Sequence, residues 1–430
     1  MTALILGAGL AGVSLAHFLK GKSKILEREN RIGGLCRSFN FDGVKHDIGP
    51  HILFSKDKNV LDALLSNVDT RKIRRSNKIF HKGRFIKYPF ENELSALPKK
   101  ERDFCLKTFL NNPYRNRPAR NMMDFFLKTF GEGITNLYLA PYNRKIWKFD
   151  PSMMDTQMVE RIPQPPDEDI IKSAKGIATE GYLHQLYFSY PERGGIESLV
   201  KGFTGKLKDK CDICKGIKIK QIKKLRSVWN VHTSKGVFKT KQLINCMPLH
   251  QLFRYLDPPQ NVKKALSELK YNSIYIVALK VKKDNLGDNY VVNFAGDDTL
   301  FHRLNKVGFL GRNYRFKDGS KCLVAEVTFT PNSDLAKISK KDLALRVCDD
   351  LAKTGLVSKK DILKTNVRKF EYAYVIYDLD HKKNAAKIMN YLKSIGILCC
   401  GRFAEFEYLN MDSTVSHSIE LAKKLNKNLT

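Results

Sequence analysis

The residues best placed to do chemistry begin at the seventh position. Gly7-Ala8-Gly9-Leu10-Ala11-Gly12 follows a short apolar run at 2–6 and precedes a helix-like stretch at 13–20. A second strand-like segment, Lys24-Ile25-Leu26-Glu27, comes next. Strand, glycine turn, helix and strand in this order make the unit that holds a dinucleotide. Gly7 permits the tight turn, Gly9 lets a pyrophosphate approach the backbone, and Gly12 lets the helix pack closely on the sheet. The free amides and dipole of the helix N-terminus then hold the phosphates. Glu27 stands 20 residues after Gly7, where an acid binds a ribose hydroxyl. Gly33-Gly34, soon after the second strand, predict another backbone approach to the same dinucleotide.

A second set of groups can hold a substrate. His51, in the turn Gly49-Pro50-His51, fixes an imidazole after a strand. Tyr88-Pro89-Phe90-Glu91-Asn92 offers aromatic rings and polar tips that can stack on and hydrogen-bond a nucleobase. Tyr142, Asn143 and Trp147 form a similar group. Arg161, Arg303 and Arg402 are candidates for phosphate, because the planar guanidinium donates two bonds at once. Arg402 opens Gly401-Arg402-Phe403-Ala404-Glu405-Phe406-Glu407-Tyr408-Leu409-Asn410-Met411-Asp412, a glycine turn leading into a helix. That helix N-terminus can face the end of a flavin where negative charge develops on reduction.

These groups need elements to position them. The helical pattern dominates 104–178, broken by Pro163, Pro165 and Pro166 in a stiff loop. Short alternating segments between 217 and 245 predict strands and hairpins, and 273–281 and 322–330 read as strands. Helices are expected at 339–354, 387–392 and 414–425, with a strand at 397–400. The chain has 430 residues, enough for two or three domains, and its 43% hydrophobic and 28% charged composition excludes wholesale disorder. No apolar run has the length of a transmembrane helix, and the first residues lack the pattern of a secretory signal. The expectation is therefore a cytoplasmic protein. Nine cysteines include the pair Cys211 and Cys214, but no second pair or histidine spacing makes a metal site, so reduced, mostly buried thiols and no metal are expected. The 76 Lys and Arg against 44 Asp and Glu leave a charge of +32, which draws anionic partners. The lysines read as scattered over solvated faces, and no nucleic-acid-binding motif accompanies them.

Taken together, GAGLAG, GPHILFS, YPFENELSALP, FGEGI with PYNRKIW, YPERGG and GRFAEFEYLNMD resemble the UDP-galactopyranose mutase family nearly end to end. The first motif and the Gly33-Gly34 pair point to the wider FAD superfamily of amine oxidases and protoporphyrinogen oxidases rather than to NAD dehydrogenases. The resemblance implies an α/β (α+β overall) architecture. It has a Rossmann-like FAD-binding domain discontinuous over 1–85, 186–250 and 385–430, a mostly helical lid domain at 86–185, and an antiparallel sheet domain at 251–384. It also implies interconversion of the pyranose and furanose forms of a UDP-sugar by an isomerase that needs reduced FAD, whose N5 is the nucleophile on the anomeric carbon. Such an enzyme supplies galactofuranose for cell-surface polysaccharide, with NAD(P)H or another reductant serving the flavin. Some relatives oligomerise, and nothing in the sequence reads as a subunit interface.

Residue by residue, the resemblance assigns FAD to Gly7, Gly9, Gly12, Glu27, Gly33 and Gly34, with Arg402, Asn410 and Met411 near the ring. His51 is implied to orient or tune the reduced flavin. Arg161, Arg303, Arg402, Tyr374 and Tyr408 are implied at the diphosphate, and Tyr88, Phe90, Glu91, Tyr142, Asn143 and Trp147 on the uridine side. Three departures stand out. Glu91 replaces a glutamine, Asn410 replaces a frequent aspartate, and Leu304-Asn305-Lys306 follows Arg303 where the family carries a tyrosine segment. They leave the sugar open. The alternative is an FAD-dependent oxidoreductase of the amine-oxidase or protoporphyrinogen-oxidase type, which has no need of three phosphate-gripping arginines.

Overall fold

The structure, a computed structural model, describes residues 2–162, 164–179 and 186–427, with the side chains of residues 160 and 161 outside that set. The N-terminal strand Ala3–Leu6 is buried on both faces. It lies at the centre of a five-stranded parallel sheet, between Leu243–Asn245 and Ser23–Leu26, with Ile397–Cys399 and Cys211–Cys214 at the edges. Its side chains alternate between two cores. Ala3 and Ile5 pack with the first helix, Leu10–Phe18, while Leu4 and Leu6 join the core under the helical region. Continuous apolar runs of this kind are what a sheet covered on both faces requires. The C-terminal helix, Met411–Lys427, returns to the first helix, where Ser14 Oγ donates to Ser418 Oγ at 2.9 Å. The two chain ends thus build one dinucleotide-type domain.

A seven-stranded sheet forms the second half. Its order is Ile362–Ile376, Lys270–Val281, Lys321–Phe329, Arg303–Lys306, Val291–Phe294, Asn77–His81 and Arg84–Lys87. Pairing is antiparallel except where Val291–Phe294 meets Asn77–His81. The expected boundary after residue 85 falls inside the last hairpin, so the segment assigned to the first domain supplies two strands to the second sheet. The long strand Ile362–Ile376 and this hairpin are additions to the sequence expectation. The long strand runs along one edge of the sheet and carries exposed polar residues, and the hairpin strands are short and mostly half-buried, so neither shows an apolar strand pattern. Helices Lys99–Leu110, Met122–Ile134, Ala140–Trp147 and Asp167–Ala174 cover the cleft between the two halves. Met122–Ile134 and Ala140–Trp147 are joined by a π-helical turn, Thr135–Leu139. The expected proline loop includes Pro163, which lies outside the described residues; Pro166 precedes the helix Asp167–Ala174.

Gly12 sets how closely the first helix packs on the glycine turn. A Cβ on Gly12 would stand 2.1 Å from the backbone oxygen of Gly7, inside van der Waals contact with a group that cannot move without opening the turn. Gly12→Val is therefore expected to lower the unfolding free energy by about 2 kcal/mol or more, read by chemical denaturation. Wild-type stability in that variant contradicts the packing.

Candidate active site

Two cavities meet in the cleft. The first, about 560 Å³, runs from Gly7, Gly9, Gly33 and Gly34 past Glu27 to His51 and Arg402. The second, about 370 Å³, lies between the helical region and the large sheet. His51, Arg402 and Met411 line both.

The first cavity is a cradle of backbone. Gly33 and Gly34 take φ of +110° and +54°, and a Cβ on Gly34 would lie 3.2 Å from the Cα of Gly9. A Cβ on Gly9 meets protein only 3.9 Å away, at Gly34, so a larger side chain would fill the cavity itself. Gly12 does not line the cavity; it sits beneath, packing helix on sheet. Glu27 accepts from the amides of Ala8 and Glu29, both at 2.8 Å, which fixes its carboxylate beside the glycine turn. At the far end the Nδ1 of His51 is buried without a hydrogen-bond partner. Burial, and then the Arg402 charge, hold the His51 imidazole down at about 4, so it is neutral at pH 7. The C-terminal helix starts here at Met411 and brings its positive end to the junction. Glycines without side chains, an aligned helix N-terminus, a placed carboxylate and an orphaned imidazole nitrogen fit a dinucleotide with a flavin ring.

The His51 turn has its own support. Asp47, buried, accepts from Ser38 Oγ at 2.5 Å, Tyr190 Oη at 2.6 Å and the amide of Ile196 at 3.1 Å. Burial pushes the Asp47 carboxyl up to about 6. The YPERGG segment serves this cluster: the Gly195 amide donates to Tyr314 Oη at 3.1 Å.

The second cavity carries two guanidiniums in different states. Arg303 lies 3.4 Å from Glu326, whose other oxygen accepts from Asn305 at 2.7 Å. Burial opposes the Arg303 charge, but Glu326 beside it holds the pKa well above the ordinary value. Arg303 also reaches Tyr142 Oη, which donates to Asn293 at 3.1 Å. Arg402 is held by carbonyls instead: Nε to Leu409 at 2.7 Å and Nη1 to Ala373 at 3.1 Å, with its plane 4.8 Å over the Tyr408 ring. Among the described residues no carboxylate lies within 4.0 Å of it. The side chain of Arg161 is outside the described set; neighbouring Met158 and Ile162 line the cavity.

Aromatic rings form the rest of the wall. Phe90, Tyr138 and Tyr142 stack in sequence at 5.1 and 5.3 Å. Tyr138 and Tyr142 face the cavity. Phe90, expected at the substrate, is the fully buried back ring, because its apolar side chain is better covered by core than exposed to a polar ligand. Tyr374, also expected there, stands behind the wall, stacked on Tyr408 at 5.8 Å and edge-on to Trp147. Asn143 and Trp147 both line the cavity and are locked together, with Trp147 Nε1 donating to Asn143 at 2.7 Å. Tyr88, Glu91, Tyr408 and Asn410 complete the expected set at the wall. Burial pushes the Glu91 carboxyl up to about 8. Arg75, Asn77, Tyr290 and Asn293 also line it. Sequence reading passes over them because Arg74-Arg75 looks like a surface pair and the strands that carry the others are short. The nine cysteines are free, five of them buried.

Fold and site together define a flavoprotein with a second ligand cleft beside the ring. The chain belongs to the flavin-containing amine oxidoreductase family, whose model matches residues 10–379. It is 25% identical over 182 residues to the UDP-galactopyranose mutase of Mycoplasma genitalium, a match covering 37% of this chain and 43% of that protein, so less than half of that relative's length is spanned. A reduced UDP-galactopyranose mutase crystal structure shares the fold with a TM-score of 0.90, covering 100% of this chain and 96% of that one at 23% identity. A putative protoporphyrinogen oxidase from Exiguobacterium superposes at 0.78, over 99% of both chains, with 15% identity. Nothing in the described residues is long and apolar enough to be a membrane-crossing helix.

One ion pair behind the junction escaped the sequence reading. Glu405 accepts from the Gly401 amide at 2.7 Å and from His417 Nδ1 at 3.0 Å, fixing the turn that carries Arg402. Glu405 raises the half-buried His417 to about 9. A histidine raised in the folded state stabilises fully below its unfolded pKa near 6.5 and loses that contribution as pH rises through the folded value. The difference in melting temperature between wild type and His417→Gln should be largest below about pH 6.5 and close above about pH 9. A gap independent of pH contradicts the pairing.

Proposed function

We propose that this flavoprotein interconverts the pyranose and furanose forms of a UDP-sugar, acting as an isomerase with FAD in its reduced form. The observation that carries the reading is the charge pattern of the second cavity. Arg402 keeps its charge uncancelled by any described carboxylate, Arg303 stands on the same wall, and stacked tyrosines lie beyond them. That arrangement suits a diphosphate joined to a flat base. A cationic amine would meet the repulsion of two guanidiniums on a wall that also carries Glu91 and Asp412.

Bound FAD, once reduced, supplies a nucleophilic nitrogen beside the sugar. The chain does the rest. Arg402 and Arg303 take the charge of the departing and returning diphosphate, so a UDP leaving group need not be released to water. Tyr408, pinned under Arg402 through its ring and tied by its amide to Tyr377 Oη at 2.8 Å, sets the depth of the diphosphate. His51, neutral, offers a hydrogen bond at the junction without adding charge. Glu91, with its carboxyl near 8, is protonated at pH 7, so it can donate as well as accept at a uracil edge and adds no negative charge beside the diphosphate. This accommodates the departure from glutamine noted in the sequence.

UDP binding separates this reading from an amine or porphyrinogen oxidoreductase. Titration of the holoenzyme with UDP should show saturable binding, weakened about tenfold or more in Arg402→Ala when the two proteins are compared at equal flavin loading. Absence of UDP binding, or equal affinity in the variant, overturns the assignment. The Glu91 reading has its own signature. UDP affinity should fall as pH passes about 8 in wild type, where the carboxylate ionises. Glu91→Gln should lose that fall while still binding UDP at pH 7; the same pH profile in both proteins refutes it.

A further inference from the structure

The +32 charge looks scattered along the sequence, but the fold gathers part of it onto one small sheet. Residues 215–242 hold nine Lys and Arg and no Asp or Glu. They fold as a three-stranded antiparallel sheet, Ile219–Leu225, Val228–Thr233 and Gly236–Thr240. The inner face packs Ile222, Trp229 and Val231 into the core. On the outer face, Lys223 and Lys239 flank Asn230 in one cross-strand row, and His232 faces Val237 in the next. Leu225 and Val237 are 62% and 47% exposed among these cations.

Among the described residues, none of the nine cations lies within 4.0 Å of a carboxylate. Elsewhere lysines are neutralised: Lys280 sits between Asp42 and Asp318 at 2.9 and 2.8 Å. Two of the nine serve the fold, Lys224 donating to the Ile395 carbonyl at 2.7 Å over the Trp229 ring and Lys235 to the Lys215 carbonyl at 3.3 Å; Lys223 and Lys239, opposite Asn230 on the outer face, repel each other without such partners.

We propose that the outer face of this sheet is a docking surface for an anionic lipid bilayer. The chemistry favours lipid over nucleic acid. Eight of the nine cations are lysines, compact charges without the planar fork that reads phosphate and base together. The rings that could stack bases, Trp229 and Phe238, lie on the inner side of the sheet, in register with buried Thr240 and Val231. Exposed aliphatic side chains set among lysines match the boundary between headgroups and acyl chains, where apolar tips enter and ammonium groups meet phosphates. Of the two cleft cavities, the first strand of this sheet touches only the cofactor cavity, at Ile219 on its inner side.

The test is sedimentation of the holoenzyme with vesicles of phosphatidylcholine containing phosphatidylglycerol, and with pure phosphatidylcholine vesicles. The protein should sediment with the anionic vesicles alone, and less as salt is raised. The double variant Lys223→Glu/Lys239→Glu should lower partitioning about tenfold or more. Leu225→Ser/Val237→Ser should lower it at unchanged net charge, with flavin content and melting temperature retained in both variants. Lys340→Glu/Lys341→Glu, the same charge change on an exposed helix start elsewhere, should have a much smaller effect. Equal binding to neutral vesicles, or an equal loss in the Lys340/Lys341 control, overturns the proposal. So does stronger retention by a single-stranded oligonucleotide with no response to Leu225→Ser/Val237→Ser, which assigns the surface to nucleic acid instead.

Discussion

Arg402 is the tie on which the rest of the site depends. Its guanidinium donates to Ala373 in the edge strand of the large sheet and to Leu409 just before the C-terminal helix, while its own backbone continues from the edge of the parallel sheet. Three parts of the molecule are therefore registered by one side chain. A half-buried cation held by carbonyls rather than a carboxylate keeps charge to spare for a neighbour. Here that neighbour is whatever fills the cavities on either side. Arg303 is paired to Glu326, so the two arginines are unequal: one has a carboxylate partner, and the other is held by carbonyls alone among the described residues.

The two-cavity layout follows from that arrangement. The parallel sheet ends its first strand in a glycine turn, which opens the first cavity. The large sheet and the 122–147 helical segment enclose the second. Both places where the helix winds wider, Thr135–Leu139 and Arg402–Phe406, carry site residues, Tyr138 and Arg402. An extra residue in a turn re-aims the side chains that follow it, a recurring device at functional sites. His51 stands where the cavities join, on a turn braced by buried Asp47, so a group reacting there is positioned from beneath by hydrogen bonds rather than by surface loops.

Much of this was legible in the residues. The glycine turn, Glu27 and Gly33-Gly34 announced the first cavity because backbone approach to phosphate requires glycine at those spacings. The strands at 270–281 and 321–329 were visible because they are buried and apolar. The strand Ile362–Ile376 was not, since most of this edge strand is polar and half-buried or exposed, and its apolar end is short. Phe90 and Tyr374 were expected one layer too far forward; a motif identifies a neighbourhood, while packing decides which ring of a stack meets the ligand. Glu326 and Glu405 were invisible because their roles arise from partners 23 and 12 residues away, across strands and turns. The acid-free run at 215–242 was present in the sequence, but only the sheet turns it into a surface.

The central claim is that reduced flavin and the diphosphate-holding arginines work on one substrate. The most direct measurement is conversion of UDP-galactofuranose to UDP-galactopyranose by anaerobic, dithionite-reduced holoenzyme, followed by chromatography, with the oxidised enzyme alongside. The account predicts conversion by the reduced form and none by the oxidised form. Failure of a flavin-loaded, fully reduced enzyme to convert this or any other UDP-sugar would contradict it.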